Sequence, residues 1–314
     1  MIESLESNAI AFDEVSWGEL PEGWQLGDVG GVAVDESDNV FIFNRSDHPV
    51  LVFNRSGGFL RSFGEGLYAN GAHGIHAGAD GFIYLIDYTK HAIDRFTPSG
   101  EHVWTLGTAG KPAPKWSGIP FNKPTHVAVS PKTGDLYVTD GYGNCSVHRY
   151  APDGRHILSW GQPGCEPGEF QLPHNVVVDE DDYVYVTDRE NNRLQVFDAN
   201  GKLEAIWHDV YRADALCMGS DGLLYIGELL SQVGLDDCTV LGHRLSIHQR
   251  DGRRVARLGE AELGDGPGQF IAPHGIAADS HGDLYVGEVS WGMWGQHENP
   301  PRTYRTLRKL KRLR

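Results

Sequence analysis

Apolar and polar residues alternate in short runs along the whole chain, and Asp/Gly turns join these runs in pairs. The unit is an apolar strand, a turn, and a second strand that ends in an acid or amide. It occurs six times, as GVAVDESDNVFIFN (31–44), GIHAGADGFIYLID (74–87), HVAVSPKTGDLYVTD (126–140), NVVVDEDDYVYVTD (175–188), ALCMGSDGLLYIGE (215–228) and GIAADSHGDLYVGE (275–288). Alternation with a period of two predicts β-strands, and a short turn between two such runs predicts a hairpin.

A second hairpin follows five of the six units. These hairpins are LVFNRSGGFLRSF, IDRFTPSGEHVWTL, VHRYAPDGRHILSW, LQVFDANGKLEAIW and LSIHQRDGRRVARL. Each unit therefore holds four antiparallel strands, which we name a to d in chain order. Four-stranded repeats of this length are typical of propeller blades. We predict an all-β, six-bladed β-propeller that forms one domain over residues 1–314.

The sixth unit ends after strand c, at TYRTLRKL near the C-terminus, and lacks a strand d of its own. Residues 10–17 near the N-terminus read like the d strands elsewhere. Because an open blade would leave an unpaired sheet edge, we expect this N-terminal strand to complete the sixth blade and close the ring.

Charge and cysteine content limit the possible partners and compartments. The chain has 314 residues and a net charge of −16, which argues against nucleic-acid binding. Residues 302–314 are basic and would form either a solvated terminal strand, the reading we favour, or an arm for phosphates or an acidic partner.

No apolar run fits a signal peptide or a membrane span. The four cysteines (Cys145, Cys165, Cys217 and Cys238) show no CxxC spacing, so we predict a cytoplasmic protein with reduced thiols and no membrane partner. The sequence does not fix the oligomeric state.

Three histidines occupy one equivalent position in alternate blades. When the units are aligned on the aromatic residue of strand b, with one extra residue allowed in the third hairpin, the residues just before strand a are Gly30, His73, Thr125, His174, Asp214 and His274. Strand a lines the central channel of a propeller, so these imidazoles are expected to converge with threefold spacing. Three neutral imidazoles form a zinc site of the catalytic type. The alternative is that they line the channel and bond to backbone or water.

The residues just past strand b should surround these histidines, because the start of strand a and the end of strand b meet at one rim. They include Arg45, Tyr88, Tyr142 and Arg189. The three longest insertions (107–122, 229–244 and 290–302) fall in connections on the same face. We predict that they wall a pocket above the metal.

At these positions the chain resembles the peptidyl-α-hydroxyglycine α-amidating lyases, within the wider group of NHL-repeat propellers. The resemblance is carried by KPTHVAVSPKTGDLYVTDGYGN, PGEFQLPHNVVV and VTDRENNRLQVF in blades three and four, by NRSDHP (44–49), and by the residues around the three histidines. By that match, His73, His174 and His274 are expected to bind zinc. Tyr142 falls on the catalytic tyrosine, and Arg45 and Arg189 fall on the two active-site arginines.

The departures from the family pattern also carry information. Gly275 stands where the family has a calcium-binding aspartate, so calcium is doubtful. Ala272 stands where the family has a methionine, which suggests a pocket of different shape. The paired cysteines of secreted members are replaced by Asn122, Gly143, Tyr185 and Val196, in agreement with an intracellular protein.

The resemblance implies a metal-dependent carbon–nitrogen lyase that cleaves an N–C(OH) bond to give an amide and a glyoxylate-like carbonyl acid. Its substrate would be a small molecule or short peptide that bears a carboxylate. Two alternatives stay open. A metal-dependent lactonase or other hydrolase would use acidic ligands such as Asp214, Glu228 and Glu288. A non-enzymatic NHL-repeat scaffold would bind partners through its rim.

Overall fold

The computed structural model describes residues 2–3, 10–68, 70–231 and 241–313. Its strands form six antiparallel sheets, five with four strands and one with five. The strands are β1 (Ile2–Glu3), β2 (Ala11–Val15), β3 (Val29–Val34), β4 (Val40–Asn44), β5 (Val50–Phe53), β6 (Phe59–Phe63), β7 (Ala72–Ala77), β8 (Ile83–Asp87), β9 (Ala92–Phe96), β10 (His102–Gly107), β11 (His126–Val129), β12 (Leu136–Asp140), β13 (Ser146–Tyr150), β14 (His156–Trp160), β15 (Pro173–Val178), β16 (Val184–Asp188), β17 (Arg193–Phe197), β18 (Leu203–Trp207), β19 (Ala213–Met218), β20 (Leu224–Glu228), β21 (Arg244–His248), β22 (Arg254–Leu258), β23 (Pro273–Ala278), β24 (Leu284–Glu288) and β25 (Leu307–Arg312).

Each sheet is one blade, and the predicted six-bladed propeller is confirmed. Blades one to five are β3–β6, β7–β10, β11–β14, β15–β18 and β19–β22, and blade six contains β23, β24, β25 and β2, with β1 outside them. Two short helices, α1 (Gly141–Asn144) and α2 (Ser290–Met293), follow strand b in blades three and six. No helix among the described residues is long and apolar enough to cross a membrane. That residues 1–314 form one domain stays a prediction.

The ring closes through the N-terminal strand, as predicted. Strand β2 pairs antiparallel with β25, with Phe12 opposite Arg312 and Val15 opposite Lys309. The basic tail supplies strand c of blade six, and its charges pair with acids inside the blade. Arg308 binds Glu288 at 2.6 Å. Arg308 and Lys309 are buried in the blade, whereas the side chains of Arg302 and Arg305 are more than half exposed. Only the strand itself therefore departs from the solvated strand favoured from the sequence.

The repeated Asp/Gly turn has a structural role in the packing between blades. In four blades the turn aspartate accepts a hydrogen bond from the buried strand-b tyrosine: Tyr84 to Asp80 (2.6 Å), Tyr185 to Asp179 (3.0 Å), Tyr225 to Asp221 (2.8 Å) and Tyr285 to Asp279 (3.1 Å). These bonds allow large aromatic rings to be buried without leaving their hydroxyl groups unpaired.

The acids at the end of strand b fix the chain that enters strand a, where the histidines lie. Asp188 accepts hydrogen bonds from the main-chain N–H of Leu172 (3.1 Å), and Glu288 does the same for Ala272 (3.0 Å). Glu228 is paired with Arg244 at 2.8 Å. Glu288 is thus held in structural contacts through both carboxylate oxygens and Glu228 through Oε2, which weakens one reason to favour the lactonase alternative.

Closure of the ring predicts a large loss of stability when β2 is damaged. Phe12 is 0% exposed, and replacing a buried phenylalanine with alanine typically costs about 3–5 kcal/mol. We expect Phe12→Ala, and deletion of residues 1–17, to lower the free energy of unfolding by several kcal/mol in denaturant titrations. Leu60→Ala in β6, where the side chain is 43% exposed, is the matched control and should change it little. Equal midpoints for Phe12→Ala and Leu60→Ala would contradict closure by β2.

Candidate active site

The three histidines meet on the propeller axis. His73, His174 and His274 lie in the first strands of blades two, four and six and are 2%, 1% and 5% exposed. One ring nitrogen from each lies within 4.8 Å of the corresponding atoms of the other two. The predicted convergence of these side chains is therefore present in the structure.

Each imidazole is oriented by the next blade. The Nδ1–H groups donate to main-chain carbonyl oxygens at the equivalent position of that blade: His73 to Thr125 (2.7 Å), His174 to Asp214 (2.9 Å) and His274 to Gly30 (2.7 Å). A proton on Nδ1 leaves the Nε2 lone pair free, and such an outer hydrogen bond is a usual feature of metal-binding histidines.

The histidines are held in the neutral form that metal binding requires. Burial lowers the pKa of all three, well below the usual value for His73 and His174, and the charge of Arg189 lowers each pKa further. Three neutral imidazoles with free Nε2 atoms suit a transition metal such as zinc.

Tyr142 reaches the histidines from α1. Gly141 precedes it and lies so close to Pro173 that a Cβ there would be 2.1 Å from the Pro173 carbonyl oxygen, so only glycine fits at the start of this turn. The Tyr142 hydroxyl oxygen is 2.9 Å from Nε2 of His73 and 3.1 Å from Nε2 of His174. A single O–H group can donate to only one of these two lone pairs.

The site therefore has more hydrogen-bond acceptor atoms than protons that could be donated to them. On its third side, Oδ2 of Asp214 lies 3.6 Å from Nε2 of His274 and has no hydrogen-bond partner among the described residues. Buried polar atoms are normally satisfied. A cation among these nitrogen and oxygen atoms would satisfy them, so the residues present fit a bound metal.

The two arginines are in different environments. Arg189, in the 3₁₀ turn after β16, contacts Asp214 through Nη1 at 2.9 Å and Glu190 through Nε at 2.8 Å. Its guanidinium carbon is 5.7 Å from the centre of the Tyr142 ring. Arg45 donates to the Ala72 carbonyl oxygen at 3.2 Å and lies 3.5 Å from Asp28. Arg189 is thus held by two short contacts with carboxylates, whereas Arg45 makes one main-chain hydrogen bond and one longer contact with Asp28, so more of its donors are left for a ligand.

A cavity of about 390 Å³ opens above the histidines. Its walls are formed by Arg45, Tyr88, Lys123, Tyr142, Arg189, Leu229, His274, Val289, Gly292 and Met293. The insertions 229–244 and 290–302 contribute to this wall, as predicted, although residues 232–240 lie outside the described part of the chain. The insertion 107–122 contributes none of these residues. It packs behind α1 instead, where Gly118 and Ile119 bond to the side chain of Asn144.

The chain is similar to several known proteins. The NHL repeat family matches residues 121–150 and 170–197, in blades three and four. Peptidyl-glycine alpha-amidating monooxygenase B of Xenopus laevis is 28% identical over 300 residues, which cover 84% of this chain and 33% of the relative. Peptidyl-alpha-hydroxyglycine alpha-amidating lyase 1 of Drosophila melanogaster is 27% identical over 314 residues, which cover 85% of this chain and 56% of the relative. This chain is thus similar to proteins named as amidating enzymes and amidating lyases.

The resemblance stated from the sequence is therefore confirmed. The chain spans about a third of the length of the Xenopus protein and just over half of the Drosophila protein. Among solved structures, virginiamycin B lyase from Staphylococcus aureus has a TM-score of 0.58 and 16% identity, over 90% of this chain and 83% of that one. That likeness concerns the fold alone.

Two departures from the family pattern have structural consequences. A Cβ on Gly275 would lie 2.7 Å from the Cα of Gly31, so an aspartate does not fit here without movement of the neighbouring strand. Ala272 is 0% exposed and packs in a cluster with Leu229 and Val289 instead of lining the cavity. The methionine that lines the cavity is Met293, which packs against the same cluster.

The sequence reasoning missed Met293 and Lys123 as cavity residues. Met293 could have been found, because it lies inside an insertion that was expected to wall the pocket. Lys123 could not, because it lies in the approach to strand a, and its backbone has a φ of +60° that no sequence signal indicated.

Proposed function

We propose that this chain is a zinc-dependent carbon–nitrogen lyase that acts on an α-hydroxyglycine amide or a similar carbinolamide. The observation that carries the proposal is the contact of one tyrosine hydroxyl with two of three converging, neutral histidines. The relatives named as amidating lyases support the same reaction class. The substrate would be a small molecule or short peptide that bears a carboxylate, handled in the cytoplasm without nucleic-acid or membrane partners.

His73, His174 and His274 would hold the zinc through their Nε2 atoms. When bound, zinc would lower the pKa of the substrate hydroxyl group. Arg45 would hold the substrate carboxylate, because it faces the cavity and keeps free donors in a planar arrangement suited to a carboxylate. Held in this way, the substrate would place its hydroxyl beside Tyr142.

Tyr142 would remove the hydroxyl proton. Burial raises the pKa of Tyr142, and the positive charge of Arg189 opposes this rise by favouring the phenolate. As the C–O bond becomes a carbonyl, the C–N bond breaks and its electron pair goes to the amide nitrogen. The nitrogen then takes the proton that Tyr142 removed. The products are a primary amide and glyoxylate, with atoms and charge balanced and no other reactant.

Product analysis tests this function. The natural chain, loaded with zinc, should release glyoxylate and the matching amide in equal amounts from an N-acyl-α-hydroxyglycine. A panel of lactones should be left intact. Turnover of a lactone with no glyoxylate from any α-hydroxyglycine substrate would move the assignment to the hydrolase alternative. No turnover of either class would favour the scaffold.

A further inference from the structure

The six positions just before strand a form an alternating ring around the axis. In even blades they are the three histidines, and in odd blades they are Gly30, Thr125 and Asp214. Each odd residue supports the histidine of the preceding blade through its main-chain carbonyl oxygen. Only in blade five does the supporting residue also carry a charge. Asp214 can therefore be compared with Gly30 and Thr125, the two uncharged residues at the equivalent positions.

The Asp214 carboxylate contacts two of the three histidines. Its Oδ1 lies 3.0 Å from Nδ1 of His174 and 2.9 Å from Nη1 of Arg189. Its Oδ2 lies 3.6 Å from Nε2 of His274 and has no hydrogen-bond partner within the described ranges. The side chain is 0% exposed. Water is thus kept from a carboxylate oxygen that lies beside a ligand atom.

A buried carboxylate oxygen without a partner is costly unless a cation compensates it. Arg189 compensates Oδ1 only. A divalent ion held by three neutral imidazoles would add two positive charges to a site that is already lined by the guanidinium groups of Arg45 and Arg189. A negative charge next to the ligand atoms would offset that concentration of positive charge.

We propose that Asp214 is a positioning residue that sets the metal affinity of this centre, with Oδ1 fixing His174 and Oδ2 providing the counter-charge beside His274. Carboxylate–histidine–metal arrangements of this kind tune zinc sites. The proposal rests on the zinc centre of the proposed function, but it does not depend on which substrate is cleaved.

The test is a zinc titration of metal-stripped, untagged protein against a chromophoric chelator. Asp214→Asn keeps the size of the side chain and should weaken zinc binding about 10- to 100-fold, the usual effect of losing such a partner. Asp214→Thr places the residue of blade three at this position, keeps the carbonyl bond to His174, and should weaken binding by a similar factor. This second variant provides the answer if Asp214→Asn does not fold.

The matched control is Glu190→Gln. Glu190 also pairs with Arg189, at 2.8 Å, but among the described residues it does not contact the histidines, so its loss should leave zinc affinity within about threefold. Unchanged affinity in both Asp214 variants, or equal weakening in the Glu190 variant, would overturn the role of Asp214. Wild-type protein that binds no zinc would overturn the metal centre as well. Tight zinc binding without glyoxylate release would instead remove the proposed reaction and leave the role of Asp214 standing.

Discussion

Tyr142→Phe should reduce glyoxylate release by roughly 10²- to 10⁴-fold, the usual effect of removing a general base. The substitution deletes one oxygen atom and keeps the ring. The ring packs edge-on against His73, with 5.3 Å between ring centres, so its position should be retained. The metal content should stay that of the wild type, which would separate a loss of chemistry from a loss of ligand.

Tyr137→Phe is the matched control for this experiment. Tyr137 lies in strand b of the same blade, and its buried hydroxyl has no hydrogen-bond partner among the described residues. Removing that oxygen should leave the rate unchanged and should not lower stability, because no hydrogen bond is lost. If Tyr142→Phe released glyoxylate as fast as Tyr137→Phe, Tyr142 would not be the base.

His174→Ala should abolish both the bound metal and the activity. Three imidazoles suffice for a zinc site, but removal of one leaves two ligands where catalytic zinc normally has three. Elemental analysis of untagged protein should show about one zinc ion per wild-type chain and almost none in the variant. His174 is anchored by the Asp214 carbonyl and not by a neighbouring ligand, so the other two histidines should keep their orientation.

His126→Ala controls for the loss of an imidazole from the same channel. His126 lies in β11 of blade three, lines a separate cavity with His76, and is absent from the histidine cluster. Its loss should leave the zinc content unchanged. Full zinc occupancy in His174→Ala, or equal loss in both variants, would show that the metal is bound elsewhere.

The features that the sequence predicted well are those that repeat. Six copies of one alternating pattern place strands a and b in register, so a residue at one position of the unit has a known place on the ring. His73, His174 and His274 could be brought together on that basis alone. Ring closure followed from the one unit without a strand d, because a propeller with an unpaired edge is disfavoured.

The features that could not be predicted lie in segments that occur once. The insertion 107–122 was expected over the cavity and instead packs behind α1, through Asn144. The difference between the two arginines was also hidden, because it depends on which acids lie nearby in space. Glu190 follows Arg189 in the chain, but Asp214 reaches it from the next blade. Nothing in the spacing of the sequence indicated that Asp28 would lie beside Arg45.

In the proposed reaction, the cleavage of an N–C(OH) bond depends on a metal held by the three histidines. The most direct test follows glyoxylate release from an N-acyl-α-hydroxyglycine by the wild-type protein as purified, after removal of the metal with a chelator, and after zinc is returned. We predict release by the purified protein, loss of at least 10²-fold on stripping, and recovery with zinc. Glyoxylate release that persists at full rate in the stripped protein would contradict the account.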